Sequence, residues 1–260
     1  MKLNKLIAIA TISLLSGGIS MAQKALNLED IVAGNIIQTK GIGSMTWLKD
    51  GERYSRLENN KQTGGTDIVA YRAKDNSREV IIPSSLLTDK STGRPIPVRS
   101  VSWSADNEKV LIYNNTRRVW RYDTRGDYWV LNLKDGALRQ LGKGMPESSM
   151  MFAKFSPDGT RVAYVSNNNI YVEDIDSGKI TQLTKDGSDT IVNGTFDWVY
   201  EEEFSCRDGF RWSPDGKHIA YWQSDTKGTG VFDIINNVDS IYAKVIHFPY
   251  PKAGTTNSAV

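Results

Sequence analysis

Three adjacent carboxylates, Glu201-Glu202-Glu203, follow Asp197-Trp198-Val199-Tyr200 and precede Phe204. Like charges in a row repel one another, and in open solvent they add nothing to stability. With Trp198, Tyr200 and Phe204 around them, part of the run is expected against apolar surface, where a carboxylate needs a cationic partner. Two readings stand on the residues alone. One is a solvated acidic turn; the other is a receptor for a bound cation, such as an ammonium group.

Other chemistry is scarce. Cys206 is the single cysteine, which excludes an intrachain disulfide and a cysteine-rich zinc site. His218 and His247 are too few for a histidine-based metal centre. His218 falls in a strand after a turn and His247 just before Phe248-Pro249, so both are read as structural. No Gly-x-Ser-x-Gly elbow occurs, and neither histidine has a Ser and Asp partner in sequence context. No cofactor and no metal are expected. The 260 residues are 39% hydrophobic and 24% charged, with a net charge of +2, an ordinary globular composition. Lys and Arg are scattered, so nothing argues for a nucleic-acid partner.

The elements that must carry these residues repeat. Thr46-Trp47-Leu48-Lys49-Asp50-Gly51 is followed by Val101-Ser102-Trp103-Ser104-Ala105-Asp106-Asn107, then by Phe155-Ser156-Pro157-Asp158-Gly159 and Trp212-Ser213-Pro214-Asp215-Gly216. The leading aromatics Trp47, Trp103, Phe155 and Trp212 are 56, 52 and 57 residues apart. In each copy the aromatic ends a strand, the Asp-Gly type turn reverses the chain, and an alternating run such as Arg161-Val162-Ala163-Tyr164-Val165 starts the next strand. A second turn recurs downstream at Lys74-Asp75-Asn76, Lys134-Asp135-Gly136 and Asp176-Ser177-Gly178. Two hairpins per unit and a period near fifty predict an all-β fold, a β-propeller of four-stranded antiparallel blades. About four blades fit, with the fourth starting near Phe210, and no closing segment is evident, so the propeller is expected to be partial.

The segments divide as follows. Residues 1–22 read as a secretory signal: Lys2 and Lys5, an apolar run over 6–15, and Ser20-Met21-Ala22 before cleavage. That run is too short to span a bilayer comfortably. Residues 23–40 form an entry segment with a helical turn at Leu26-Asn27-Leu28-Glu29-Asp30-Ile31. Residues 41–260 hold the partial propeller, and residues 188–206, longer than a blade connection needs, form an insertion carrying the acidic run. Such insertions project from one face and tend to hold binding residues.

Asp197-Trp198-Val199-Tyr200-Glu201-Glu202-Glu203 matches the Asp-Trp-x-Tyr-Glu-Glu-Glu signature of the dipeptidyl peptidase IV family of serine peptidases, which this chain resembles. Asn193-Gly194 before it, Trp212-Ser213-Pro214 after it and a second motif, Tyr250-Pro251-Lys252-Ala253-Gly254, agree with the family. The resemblance is close over residues 103–260 and loose over 23–100. It implies an eight-bladed N-terminal propeller over a C-terminal α/β-hydrolase domain, with the substrate between them. A dipeptide with Pro or Ala in second place would be cut from the amino end. It also implies that Glu202 and Glu203 bind the substrate's α-ammonium and that Glu201 is the structural member of the trio. An ammonium donates three hydrogen bonds, and two carboxylates both neutralise and orient it while blocking deeper entry. Trp120-Arg121 matches the family's Trp-Arg pair, which assigns Arg121 to the carbonyl of the substrate's first residue. Arg117, Arg118 and Arg125 crowd that segment, and on the residues alone Arg121 is equally a solvated strand-end charge. Trp198 and Tyr200 are expected to pack and position the loop.

The nucleophile, acid and base are therefore expected beyond Val260, and these 260 residues alone are expected not to hydrolyse a peptide bond. The expected partners are peptides with a free N-terminus, no nucleic acid and no membrane after signal cleavage, the whole protein forming a homodimer. The expected location is the periplasm or the exterior. Two alternatives compete: a non-catalytic periplasmic propeller that binds or scaffolds with its acidic loop solvated, and a related prolyl tripeptidyl peptidase. Smaller signals read simply. Arg125-Gly126-Asp127 is a turn before a strand rather than an adhesion motif. Asn114-Asn115-Thr116 and Asn193-Gly194-Thr195 are glycosylation sequons only in a host that glycosylates. Cys206 is a packed residue, since a reactive thiol wants positive neighbours and Arg207 is the one nearby cation.

Overall fold

A computed structural model describes residues 27–33, 41 and 43–260. The signal expected at residues 1–22 and most of the entry segment expected at 23–40 lie outside the described residues. The chain divides into Met1–Ile42 and Gly43–Val260. In the first unit a short helix, α1 (Leu28–Val32), is described, with Leu28, Ile31 and Val32 exposed. No helix among the described residues is long and apolar enough to cross a membrane.

The second unit is built of antiparallel blades. The first sheet is β1 (Thr46–Trp47), β2 (Arg53–Asn59), β3 (Thr66–Arg72) and β4 (Arg78–Ile82), in that order. A small hairpin, β5 (Thr88–Asp89) with β6 (Arg94–Pro95), leads to the second sheet. That sheet holds β7 (Ser100–Trp103), β8 (Lys109–Val119), β9 (Tyr122–Asn132) and β10 (Leu138–Gln140). The third holds β11 (Met151–Phe155), β12 (Arg161–Ser166), β13 (Asn169–Asp174) and β14 (Ile180–Gln182).

The repeat seen in the sequence is a repeat of hydrogen bonds. Ser104, Ser156 and Ser213 each close the first turn with the backbone N–H donating to the carbonyl five residues on, at 3.0, 2.8 and 2.9 Å. The same serine hydroxyls donate to Asp106, Asp158 and Asp215. An aspartate two residues after a serine thus organises its own turn locally. In the second turn Asn132 and Asp174 bond to residues 137 and 179, with Gly136 and Gly178 at φ 67° and 69° taking the left-handed position.

Alternation then places one apolar row of each sheet against its neighbour. Ile68, Ile82 and Leu87 meet Val110, Ile112 and Leu131 between the first two sheets. Leu111, Val130 and Met150 meet Val162 and Tyr164 between the second and third. Ala163, Val165 and Ile170 meet Phe210 beyond the third. Where a polar group is buried between blades it is satisfied: Glu173, 1% exposed, accepts from Gly142 N–H at 2.8 Å, Arg139 at 3.0 Å and the Tyr164 hydroxyl at 3.3 Å.

The fourth unit is paired differently from the others. Its hairpin is β16 (Phe210–Trp212) with β17 (Ile219–Tyr221), and β15 (Ile191–Asn193) pairs with β18 (Gln223–Asp225). Residues 219–225 therefore run as one edge whose partner strand comes in two pieces, β16 and β15. At the break, Trp222 N–H donates to Gly209 C=O and Trp222 C=O accepts from Gly194 N–H, both at 2.9 Å. The chain between the two pieces, residues 194–209, leaves and re-enters this interrupted strand, so β15 falls inside the stretch 188–206 expected as an insertion. A last hairpin, β19 (Val231–Asn236) with β20 (Lys244–Pro249), follows, and its Val231, Ile235, Ile241 and Tyr242 are exposed.

Candidate functional site

The base of the excursion is pinched shut by Gly209 N–H donating to Gly194 C=O at 3.0 Å. Both glycines are required by that approach. A Cβ on Gly209 would meet the Gly194 carbonyl carbon at 2.9 Å, and Gly194 has φ +73° with Ile170 2.8 Å from where its Cβ would stand. Just before the pinch, Asn193 is fully buried, its amide donating to Asn168 C=O and Asp186 and accepting from Gln223. Gln223 and Trp222 are part of the same edge, so the entry to the loop is tied to the sheet.

Within the excursion lies a two-turn helix, α2 (Trp198–Phe204). Asp197 caps it, accepting from Tyr200 N–H at 3.0 Å, and its other carboxylate oxygen accepts from the Ser258 hydroxyl. Ser258 is held by a backbone bridge between Asp225 and Ala259, bonded in both directions at 2.8 and 2.9 Å. Ser205, at φ 57°, ends the helix in the left-handed conformation, and Cys206 N–H returns to Tyr200 C=O. Asp197 at the cap and Glu201 in the first turn complement the helix dipole, whereas Glu202 and Glu203 lie toward the other end.

Each helical residue turns the next by about 100°, so the three carboxylates cannot share one environment. Glu201 is 4% exposed and faces inward. The Glu202 side chain is 3% exposed, and Glu203 faces solvent. Burial pushes the Glu201 carboxyl up to about 7; Arg207 and Arg125 pull it back, and Glu202 adds to the rise. Arg207 Nε is 3.8 Å from Glu201 Oε1, and neither atom has a hydrogen-bond partner. Burial, reinforced by Arg117, holds Arg125 below the usual guanidinium range. Arg117 and Arg125 stand opposite each other across β8 and β9.

The hairpin β8–β9, eleven residues per strand, extends to this helix, its tip formed by Trp120 at φ 52° and Arg121. Arg121 Nε is 2.7 Å from Glu202 Oε2, while the rest of the arginine is 74% exposed. Trp120 meets Trp198 edge-on at 6.4 Å and Phe248 at 5.3 Å, and Trp198 packs on Phe248 and Tyr250 at 4.7 and 5.2 Å. Tyr200 lies between Phe196 and Phe204 at 5.8 and 5.6 Å. Aromatic pairs of this kind contribute beyond simple burial and fix orientation.

The structure brings Arg121 and Glu202 into direct contact and leaves Glu203, next in the chain, exposed and with no ion pair among the described residues. Glu202 Oε1 is buried and unpartnered. A buried acceptor without a partner carries a desolvation cost that a hydrogen bond from a cationic donor reaching it would relieve. Among the described residues no grouping of His, Cys, Asp and Glu is arranged to hold a metal ion. A groove of about 550 Å³ between the first two sheets, lined by Leu48, Arg53, Trp103 and Leu133, shares no residue with the acidic helix. Sequence reasoning missed two members of the site. Tyr122, whose ring centroid lies 3.5 Å from the Arg207 guanidinium carbon, carries no motif, and the available signal for Arg207 was a cation four residues beyond the glutamate run.

Fold and site together define a class: a bladed β-propeller whose interrupted blade strand displays an acidic helix against an arginine-tipped hairpin. Residues 104–260 match the family model of the dipeptidyl peptidase IV (DPP IV) N-terminal region, and the chain belongs to that family. Dipeptidyl aminopeptidase B of Saccharomyces cerevisiae is 31% identical over 242 residues, 87% of this chain and 28% of that protein. A probable dipeptidyl-aminopeptidase B of Chaetomium globosum is 33% identical over 172 residues, 62% of this chain and 19% of that protein. The crystal structure of Porphyromonas gingivalis dipeptidyl peptidase 4 superposes with a TM-score of 0.76 at 26% identity, over 90% of this chain and 32% of that one. The chain spans between a fifth and a third of the length of these relatives.

Proposed function

We propose that this chain is the propeller portion of an exported dipeptidyl aminopeptidase of the serine peptidase type. In this reading Glu202 and Glu203 hold the free α-ammonium of a peptide, and Arg121 reaches the carbonyl of its first residue. Joined to a hydrolase domain, the assembly releases X-Pro and X-Ala dipeptides. The observation that carries the reading is the Glu202 carboxylate, 3% exposed, with one oxygen on Arg121 and the other unpartnered. A solvated acidic turn would leave all three glutamates in water, whereas here two are withdrawn from it. An ammonium placed between Glu202 and Glu203 would gain charge-assisted bonds without displacing an existing partner of Oε1. A homodimer of the whole protein belongs to the same proposal, supported by the apolar side chains that β19 and β20 leave exposed.

The test is kinetic, on the chain joined to its hydrolase domain. Glu202→Ala or Glu203→Ala should lower kcat/KM by roughly thirty-fold or more, as when one partner of a desolvated charge pair is removed. Acetylating the substrate amine should do the same, and acetylation should add little further loss in the variants. Unchanged rates after both perturbations would remove the carboxylates from the role of anchor.

A further inference from the structure

Arg121 is held on one face only. Its guanidinium touches Glu202, and most of its side chain is in solvent, a setting in which an ion pair alone fixes little. Besides this pair and the Trp120–Trp198 contact, the hairpin tip has a further tie to the excursion through Arg207. The Arg207 guanidinium carbon lies 3.5 Å from the centroid of the Tyr122 ring, and Tyr122 directly follows Arg121. The same side chain, 23% exposed, faces Glu201, and the Arg207 carbonyl accepts from the Thr195 hydroxyl at 3.0 Å. The contacts close a circuit. Glu201 adjoins Glu202 on α2, Glu202 pairs with Arg121, Arg121 adjoins Tyr122 on the hairpin, Tyr122 stacks under Arg207, and Arg207 returns to Glu201.

We propose that Arg207 is a positioning residue for the amine anchor: stacked on Tyr122 and facing Glu201, it clamps the hairpin tip to α2 and fixes Arg121 against Glu202. The assignment rests on the anchor reading above. Arginine suits the role because its planar guanidinium stacks on a ring and faces a carboxylate at the same time, which a lysine ammonium does less well. Arg207 touches no substrate atom in this scheme. Without it, the Trp120 contacts with Trp198 and Phe248 still hold the hairpin to the excursion, so the fold survives while Arg121 loses its fixed direction.

The experiment uses the chain joined to its hydrolase domain with two probes, the dipeptide Ala-Pro and its N-acetyl form, and measures binding by tryptophan fluorescence and calorimetry. Hydrogen exchange of the amides of residues 119–123 is followed in parallel. Arg207→Met should lower the preference for the free amine about ten-fold and speed exchange at 119–123 by a similar factor, the scale of coupling within one contact cluster. Arg207→Lys, which returns the charge facing Glu201 but stacks less well on Tyr122, should restore only part of the preference. Tyr122→Leu, which removes the ring without changing charge, should speed the same exchange, and Lys61→Met, in an exposed turn of the first sheet, should change neither reading. Wild-type preference together with wild-type exchange in Arg207→Met overturns the proposal. A wild-type chain that binds both probes alike overturns the anchor reading instead, and with it this role for Arg207.

Discussion

The Glu201 carboxyl makes stability depend on pH in a defined direction. In the unfolded chain it ionises near its ordinary value of 4.5, and in the folded protein at about 7, chiefly because burial disfavours the charged form. Between those two values the folded state holds one more proton than the unfolded state, so stability falls as pH rises. The contribution is fully present below pH 4.5 and is lost as pH climbs through 7. A gap of about 2.5 pH units corresponds to about 3 kcal/mol, with a slope approaching about 1.4 kcal/mol per pH unit inside the window. Glu201→Gln keeps the shape of the side chain and cannot ionise, so it should remove this term. Urea denaturation of both proteins at a series of pH values from 4.5 to 8, read by tryptophan fluorescence, isolates it, since every other titrating group is common to both. The stability of the variant relative to wild type should rise by about 3 kcal/mol across the series. Adding Arg207→Met should move the wild-type inflection to higher pH, because the cation that lowers the Glu201 value is gone. A wild-type-minus-variant difference that stays constant from pH 4.5 to 8 would refute the reasoning.

Two further predictions concern how the acidic helix is held. Asp197→Ala removes both the N-cap bond to Tyr200 and the acceptor for the buried Ser258 hydroxyl, and should cost about 1–3 kcal/mol in chemical denaturation; Asp197→Asn, which keeps an acceptor oxygen, should recover part of that loss. Gly209→Ala drives a methyl into the Gly194 backbone at the pinch, and should cost about 1–3 kcal/mol by overpacking, with faster hydrogen exchange at Trp222, whose N–H bonds to Gly209; a variant as stable as wild type would show that the pinch does not hold the excursion closed.

The blade repeat was legible in the sequence because each turn is decided within about six residues. A serine, an aspartate two positions on and a glycine or asparagine contain their own hydrogen bonds, and strand alternation then fixes which side chains can be buried. Local chemistry also marked the acidic run as exceptional, and resemblance to a family motif pointed to Glu202, Glu203 and Arg121. What the sequence could not show was the division of labour among three identical residues, which follows from how α2 is rotated against the hairpin. Nor did it show that the strand opposite residues 219–225 comes in two pieces, since that depends on a backbone contact between Gly194 and Gly209 across the whole excursion. The cap at Asp197 is completed by Ser258, 61 residues away, and the Arg121–Glu202 pair joins two different blades. Such contacts exist only once blades have stacked, because their partners are set by the sheet-to-sheet packing of Val162, Tyr164, Ile170 and Phe210 rather than by any short-range pattern. Sequence determined the repeating units and the residue types available for chemistry; tertiary structure decided which carboxylates are buried, which is open, and which arginine meets Glu201 and which Glu202.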